Sequence, residues 1–292
     1  MNPRGADADA AEGNAPAGAR AADDATPAGK RTGKLPISVV VLTLNSAATL
    51  NRALDSVRAF DEVMVVDGGS VDATADIATA YSNVVFRMNP FRGFSEQRNY
   101  ALRHASHRWC LVLDSDESVT PDLVAGLASR SWDDGPEPLY YVMRTDYFMG
   151  KAQDSGYARS VTHARFFLKD RVEYRGHVHE SPCVDGRKPR RDSDWVGALP
   201  EAWRILHNPA NDVADELSRI GTYSLLKARE RIEAGARISA AGIVLALLRD
   251  AVAVYRLEWR NGPRGIIRTI LVCCHRCLAN VVVYAERVRR ER

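Results

Sequence analysis

The chain of 292 residues contains neither a GxGxxG turn nor a P-loop. Glycine-rich turns of that kind hold dinucleotides and nucleoside triphosphates, so their absence disfavours a nicotinamide enzyme or an NTPase. No stretch reaches the roughly 18 consecutive apolar residues of a membrane-spanning helix, which leaves membrane contact to the surface. No large aliphatic side chain lies between Met1 and Leu35, so the roughly 7–15-residue apolar core of a secretory signal is missing there. Five cysteines, an odd number without framework spacing, predict a reducing compartment, by default the cytosol. A net charge of +3 gives no argument for nucleic acid.

What is present, 46% hydrophobic and 26% charged residues, is an ordinary globular composition, enough for one large domain with appendages. Residues 1–34, rich in Ala, Gly, Asp, Pro and Arg, read as a disordered tail. Residues 35–210 read as the main domain and 211–292 as a helical, basic region. The run ISVVVLTLN at 37–45 suits a strand covered on both faces. Helical spacing then runs from Leu50 to Phe60, EVMVV ends at Asp67, Val71–Tyr81 is a short helix, and NVVFR is a third strand. A helix over Phe94–His104 leads to LVLDSDE, 111–117, and Thr120-Pro121 begins the next helix. Alternating strand and helix imply a doubly wound, mostly parallel sheet with ligands beyond the carboxyl ends of its strands. Thr43, Asn45, Asp67, Asp114 and Asp116 all fall at such ends.

The stretch LVLDSDE crowds Asp114, Asp116 and Glu117 at the end of an apolar strand. Close carboxylates repel unless a cation neutralises them, which makes a divalent metal the first hypothesis. The other reading is that the aspartates cap the turn.

VVVLTLNSAATL, VVDGGSVDAT, GFSEQRNYAL and LVLDSDESVTPDL, in this order, resemble the family 2 glycosyltransferases of GT-A fold, a Rossmann-like architecture. ARFFLKD at 164–170 and YRGHVHE at 174–180 are similar to the subgroup containing lipopolysaccharide-core β-1,4-glucosyltransferases. The resemblance covers about residues 36–210. It implies an inverting, metal-dependent transfer of a hexose, glucose from UDP-glucose, to a lipopolysaccharide-core or related envelope glycolipid. It makes Asp67 a partner of the base, with Thr43 and Asn45 lining that pocket, Asp114 a partner of the ribose, and Asp116 the ligand of Mg²⁺ or Mn²⁺. Glu180 becomes the base that takes the acceptor's proton. Arg98, Asn99 and Arg165 steady the donor or the metal loop; the alternative is that the arginines cover a sheet edge. His177 and His179 orient Glu180 or contact the acceptor, and a His-x-His-Glu zinc site is the rival. His207 reads as a structural histidine or an acceptor contact. A different donor, an exopolysaccharide acceptor or a non-catalytic nucleotide-sugar-binding protein are the alternatives. A sugar-nucleotide pyrophosphorylase is disfavoured, because TLNSAATL stands where its Gly-rich, basic loop is expected.

The C-terminal third predicts three helices. The first starts at Asn211 or Asp212 with Val213, Leu217, Ile220 and Tyr223 on the face expected to pack on the main domain. The second runs from about Ile238, with Ala241, Leu245, Leu248, Val252 and Tyr255 as its stripe. The third begins at Pro263, with Ile267, Ile270, Cys274, Cys277, Val281, Tyr284 and Val288. Cys273, Cys274 and Cys277 read as buried packing. The last 37 residues carry nine arginines against three glutamates, a local charge of nine minus three, +6. Basic amphipathic helices suit the headgroup plane of an anionic membrane, placing the protein peripherally on the inner face of the plasma membrane. Packing on the core or on another subunit is the alternative, and exposed stacking aromatics for nucleic acid are lacking.

Overall fold

A computed structural model describes residues 33–132, 135, 137–153, 161–176, 180–209 and 213–290. The expected tail, His177 and His179, and the expected helix start at Asn211 or Asp212 lie outside the described residues. The main domain runs β1 (Leu35–Thr43), α1 (Leu50–Ser56), β2 (Phe60–Asp67), α2 (Thr74–Thr79), β3 (Val84–Met88), α3 (Phe94–His104), β4 (Trp109–Asp114), β5 (Glu117–Val119) and α4 (Pro121–Ala128). It continues with β6 (Leu139–Phe148), β7 (Lys151–Ala152), β8 (Val161–Leu168), β9 (Val172–Arg175), β10 (Ser181–Val184), β11 (Val196–Ala198) and β12 (Arg204–His207).

The main sheet has the order β3-β2-β1-β4-β8-β6-β12-β5. Its first four strands are parallel, whereas β8 runs antiparallel to both β4 and β6 and β5 runs antiparallel to β12. The strand–helix alternation therefore holds up to α4 and gives way to a mixed half, where sequence-adjacent strands no longer need helical crossovers. Val39, Val40 and Val41 are all fully buried, the odd positions in one core cluster and Val40 in another. Both faces of the sheet are thus covered, as the β-branched run implies. Helix α1 stops at Ser56, short of Phe60, because Phe60 is the first, fully buried residue of β2.

Three helices follow: α5 (Val213–Glu233), α6 (Ala240–Glu258) and α7 (Pro263–Arg290). Ser239 caps α6 by accepting from Gly242 N–H at 3.0 Å. Helix α5 packs chiefly along α7, through Ala228, Ala279 and Val283. Its expected packing on the main domain is corrected accordingly: Ile220 is buried, but Leu217 and Tyr223 face outward. Cys273 is buried as expected and Cys274 is exposed, because one step along a helix turns a side chain by about 100°. Taken whole, α7 has the length and composition of a membrane span, although its apolar run is interrupted by Arg268, His275 and Arg276.

Candidate active site at the strand ends

The loops after β1 and β2 are tied into one edge. Asn45, in a left-handed conformation at φ 50°, accepts from Val71 N–H at 2.9 Å and donates its own N–H to Ser70 Oγ at 2.7 Å. Asn is among the few side chains that tolerate that conformation. Asp67 Oδ1 accepts from Thr43 Oγ1 at 2.8 Å and from Ser70 Oγ at 2.5 Å. Its Oδ2 accepts the N–H groups of Gly69 and Ser70 at 2.9 and 2.7 Å. Burial pushes the Asp67 carboxyl up, but these bonds from Ser70, Gly69 and Thr43 outweigh it and hold the group below the usual carboxylate range. About four lone-pair positions of a carboxylate are thereby filled, so a nucleobase reaches Asp67 only if a hydroxyl turns away.

The crowding of Asp114, Asp116 and Glu117 is relieved by side chains from distant elements. Glu117 is fully buried, with Oε1 3.0 Å from Arg165 Nη2 and 3.3 Å from Arg144 Nη1, and Oε2 accepting Asp114 N–H at 2.9 Å. Burial raises its pKa. Asp114 Oδ2 lies 2.9 Å from Arg165 Nη2 and its Oδ1 2.8 Å from Arg98 Nη2. Burial opposes its charge, yet Arg165 and Arg98 hold its carboxyl well below the usual range. The cations that neutralise these two carboxylates are therefore arginines, and one metal cage for all three acids is not the arrangement found. Arg98 and Arg165 are both buried, which overturns the sheet-edge alternative.

Arg98 also carries the chain of charges to Glu180, whose Oε1 is 3.4 Å from Arg98 Nε. Arg98 Nη1 is buried with no hydrogen-bond partner among the described residues, leaving a cationic donor for a ligand or water. The neighbouring Asn99 pairs with the main chain of Tyr174 in both directions, at 2.7 and 2.9 Å, and Ser95 Oγ donates to Gly176 O at 2.5 Å. Helix α3 thus anchors the hairpin of β9 and β10 at whose far side Glu180 sits.

On the opposite side, Arg144 Nε is 2.9 Å from Asp146 Oδ1, His207 Nδ1 is 2.8 Å from the same Asp146 oxygen, and His207 Nε2 is 3.4 Å from Asp116 Oδ2. Burial pulls His207 down, but its hydrogen bonds to Asp116 and Asp146 raise it to about 9. Arg52 on α1 holds this corner: its Nη2 donates to Asp116 O at 3.2 Å and also to Asn208 O, while Asn208 N–H reaches Asp116 O at 3.1 Å. His207, read from sequence as a structural histidine or an acceptor contact, thus joins the site through Asp116. The signal for it is its position at the end of the strand RILH, the same kind of position as Asp67 and Asp114.

Among the described residues no three His, Cys, Asp or Glu side chains converge as a metal site. A hard divalent cation needs only one or two protein ligands when phosphate oxygens and water complete its shell. Asp116 is a partly exposed carboxylate that fits such a cation, and the adjacent His207 could join it only by giving up the proton it shares with Asp116, which metal binding displaces.

Residues 38–188, more than half of the chain, match the model of glycosyl transferase family 2. The chain is 25% identical over 267 residues to the lipopolysaccharide core biosynthesis glycosyltransferase LpsC of Rhizobium meliloti, covering 89% of this chain and 96% of that one. It is 30% identical over 149 residues to a PGL/p-HBAD biosynthesis glycosyltransferase of Mycobacterium bovis, covering 45% of this chain and 58% of that one. The crystal structure of residues 1–349 of S. aureus TarS superposes with a TM-score of 0.45 at 15% identity, covering 88% of this chain and 92% of that one. The chain is a glycosyltransferase of GT-A fold and belongs to glycosyl transferase family 2.

Proposed function

We propose that this enzyme transfers a hexose, glucose from UDP-glucose, to a lipopolysaccharide-core or related envelope glycolipid, with inversion at the anomeric carbon. The observation that carries the reading is the continuous chain of contacts Glu180–Arg98–Asp114–Arg165–Glu117–Arg144–Asp146–His207–Asp116, in which acids and bases alternate. In this reading Glu180, at one end, takes the proton of the attacking acceptor hydroxyl. Asp116, at the other, would hold Mg²⁺ or Mn²⁺, with His207 joining it once its proton is displaced. When bound, the cation screens charge on the leaving diphosphate. Asp114, with Arg98 and Arg165 fixing its two oxygens, presents an edge to the ribose, while Asp67, Thr43 and Asn45 form the base pocket. Buried Glu117 keeps the arginines in register and touches no substrate. His177 and His179, which shortly precede Glu180 in the sequence, take the role of orienting it or contacting the acceptor.

The similarity to LpsC over most of both chains supports the acceptor class. Such an acceptor is held in a membrane, so the enzyme works as a cytoplasmic protein at the inner face of the plasma membrane, with its C-terminal helices as the contact. The test is a transfer assay with radiolabelled nucleotide sugars and membrane glycolipid, with and without a chelator. Label should pass from UDP-glucose in a β-linkage and only with metal present. Asp116→Ala and Glu180→Gln should each lower turnover by about 10²–10⁴-fold, with donor binding weakened only in Asp116→Ala. Full activity in either variant would refute its assignment.

A further inference from the structure

Helix α6 departs from the polarity expected in water: beside buried Val254 its seam with α7 holds its acids. The acids of α6, Asp250 and Glu258, are only 5% and 0% exposed and face α7. There Asp250 lies 3.3 Å from Arg276 Nη1 and Glu258 lies 3.8 Å from Arg268 Nε. Helices α5 and α7 meet through polar groups as well, Ser224 with His275 and Arg231 with Asn280. Apart from Val254, the large apolar side chains of α6 point the other way: Val244, Leu245, Leu248, Val252 and Tyr255, with Trp259 just past the helix end, are each 48–67% exposed. They form one strip along the helix. Arg256 and Arg260 line one flank of it at four-residue spacing, and Arg249, seven residues before Arg256, shares that flank but is paired with Asp250 at 3.1 Å; all three are exposed. Ile266, Ile270 and Arg264 of α7 are exposed in the same way.

We infer that this α6 face is the surface that lies in the headgroup layer of an anionic membrane, with the strip among the acyl chains and the arginines at the phosphates. Both acids of α6 are turned inward, so the outward face offers only apolar and cationic groups, the complement of an anionic lipid surface. Tyr255 and Trp259, apolar rings with a polar edge, suit the boundary between the two layers. Pairing with a second copy is disfavoured, because it brings two arginine rows together without an outward acid on α6 to answer them. Arg268 and Arg276, counted in sequence among the cations of this region, serve the helix interface instead. Their pairing also argues against α7 crossing the bilayer. The inference deepens the proposed inner-membrane placement, but depends on no catalytic residue.

The test is co-sedimentation of the full chain with vesicles of phosphatidylcholine alone and of phosphatidylcholine mixed with phosphatidylglycerol. Binding should require phosphatidylglycerol and weaken with salt. The double variant L245Q/L248Q should bind at least about tenfold more weakly, and R256Q/R260Q about twentyfold more weakly on the anionic vesicles. Both should keep the wild-type melting temperature and the wild-type rate with a soluble acceptor sugar, so loss of vesicle binding is separable from failure of the transferase reading. Wild-type protein that ignores anionic vesicles, or variants that bind as wild type does, would overturn the inference. A dimer in solution that L245Q/L248Q dissolves, with no vesicle binding, would assign the face to a second copy and overturn it too.

Discussion

The strand-end site and helix α6 both bury ion pairs, but they put most of their large apolar groups on opposite sides of them. In the main domain, Leu111, Val112 and Leu113 are fully buried and the charges gather where β4 ends. In the helices, Asp250 and Glu258 occupy the seam beside Val254, while Leu245 and Leu248 of α6 face outward. Buried charge costs desolvation in either place and needs a partner. At the strand ends that cost maintains a fixed field of oriented donors, which is the use a transferase has for it. In the helical seam it specifies which face turns inward.

Substitutions that remove a cation should separate the two regions most sharply. Arg165→Met strips fully buried Glu117 of its nearest partner and should cost about 3–5 kcal/mol by denaturant unfolding. Arg268→Met, at 3.8 Å from its acid, leaves buried Glu258 its 2.7 Å bond from Asn261 Nδ2 and should cost less, about 1–3 kcal/mol. Equal costs would break the distinction between a field-building site and a register seam. Next in size are glycines: a Cβ on Gly126 of α4 would sit 2.2 Å from Trp203 Cε2, so Gly126→Ala should destabilise by about 1–3 kcal/mol. On α5, Gly221 has nothing within 4 Å of that position, and Gly221→Ala should stabilise by up to about 1 kcal/mol, read as a higher melting temperature. Leu248→Gln on the exposed strip should change stability in water by no more than about 0.5 kcal/mol, whereas Leu113→Ala in β4 should cost about 2–5 kcal/mol.

The smallest effect is chemical. Burial pushes the Cys110 thiol up to about 12, so below that pH it stays protonated and unreactive, while Cys274 is exposed. Iodoacetamide on the native protein should label Cys274 and spare Cys110 by peptide mass mapping. Labelling of native Cys110 would show that the sheet opens more readily than its packing implies.

Much of the fold was legible because it is written in periods. The valines of β1 and the Thr120-Pro121 start of α4 follow from short-range rules, and Thr120 Oγ1 does accept Leu123 N–H at 3.3 Å. The end of α1 was misread because Phe60 fits a helical spacing and a strand equally well; packing against the sheet decides between them. In the candidate site, Asp67, Asp114 and Asp116 announced themselves by standing at strand ends. His207 was read as a structural histidine or an acceptor contact and not as the neighbour of Asp116, since nothing within reach along the chain shows that β12 pairs with β5 and sets His207 opposite Glu117.

Sequence alone determined which residues share a face of each element, where the strands end in polar groups, and that the C-terminal helices are basic and two-sided. These depend on rotation per residue about a single axis, which needs no partner. Only the tertiary structure decided that Arg98, Arg144 and Arg165 answer the acids of LVLDSDE, that His207 meets Asp116, and that the α6 stripe points outward. Charges pair through space across dozens of residues, and a helix with one apolar and one polar face carries no internal mark of which face its neighbour will cover. In α6 the neighbour supplied Arg268 and Arg276, so the acidic face went in.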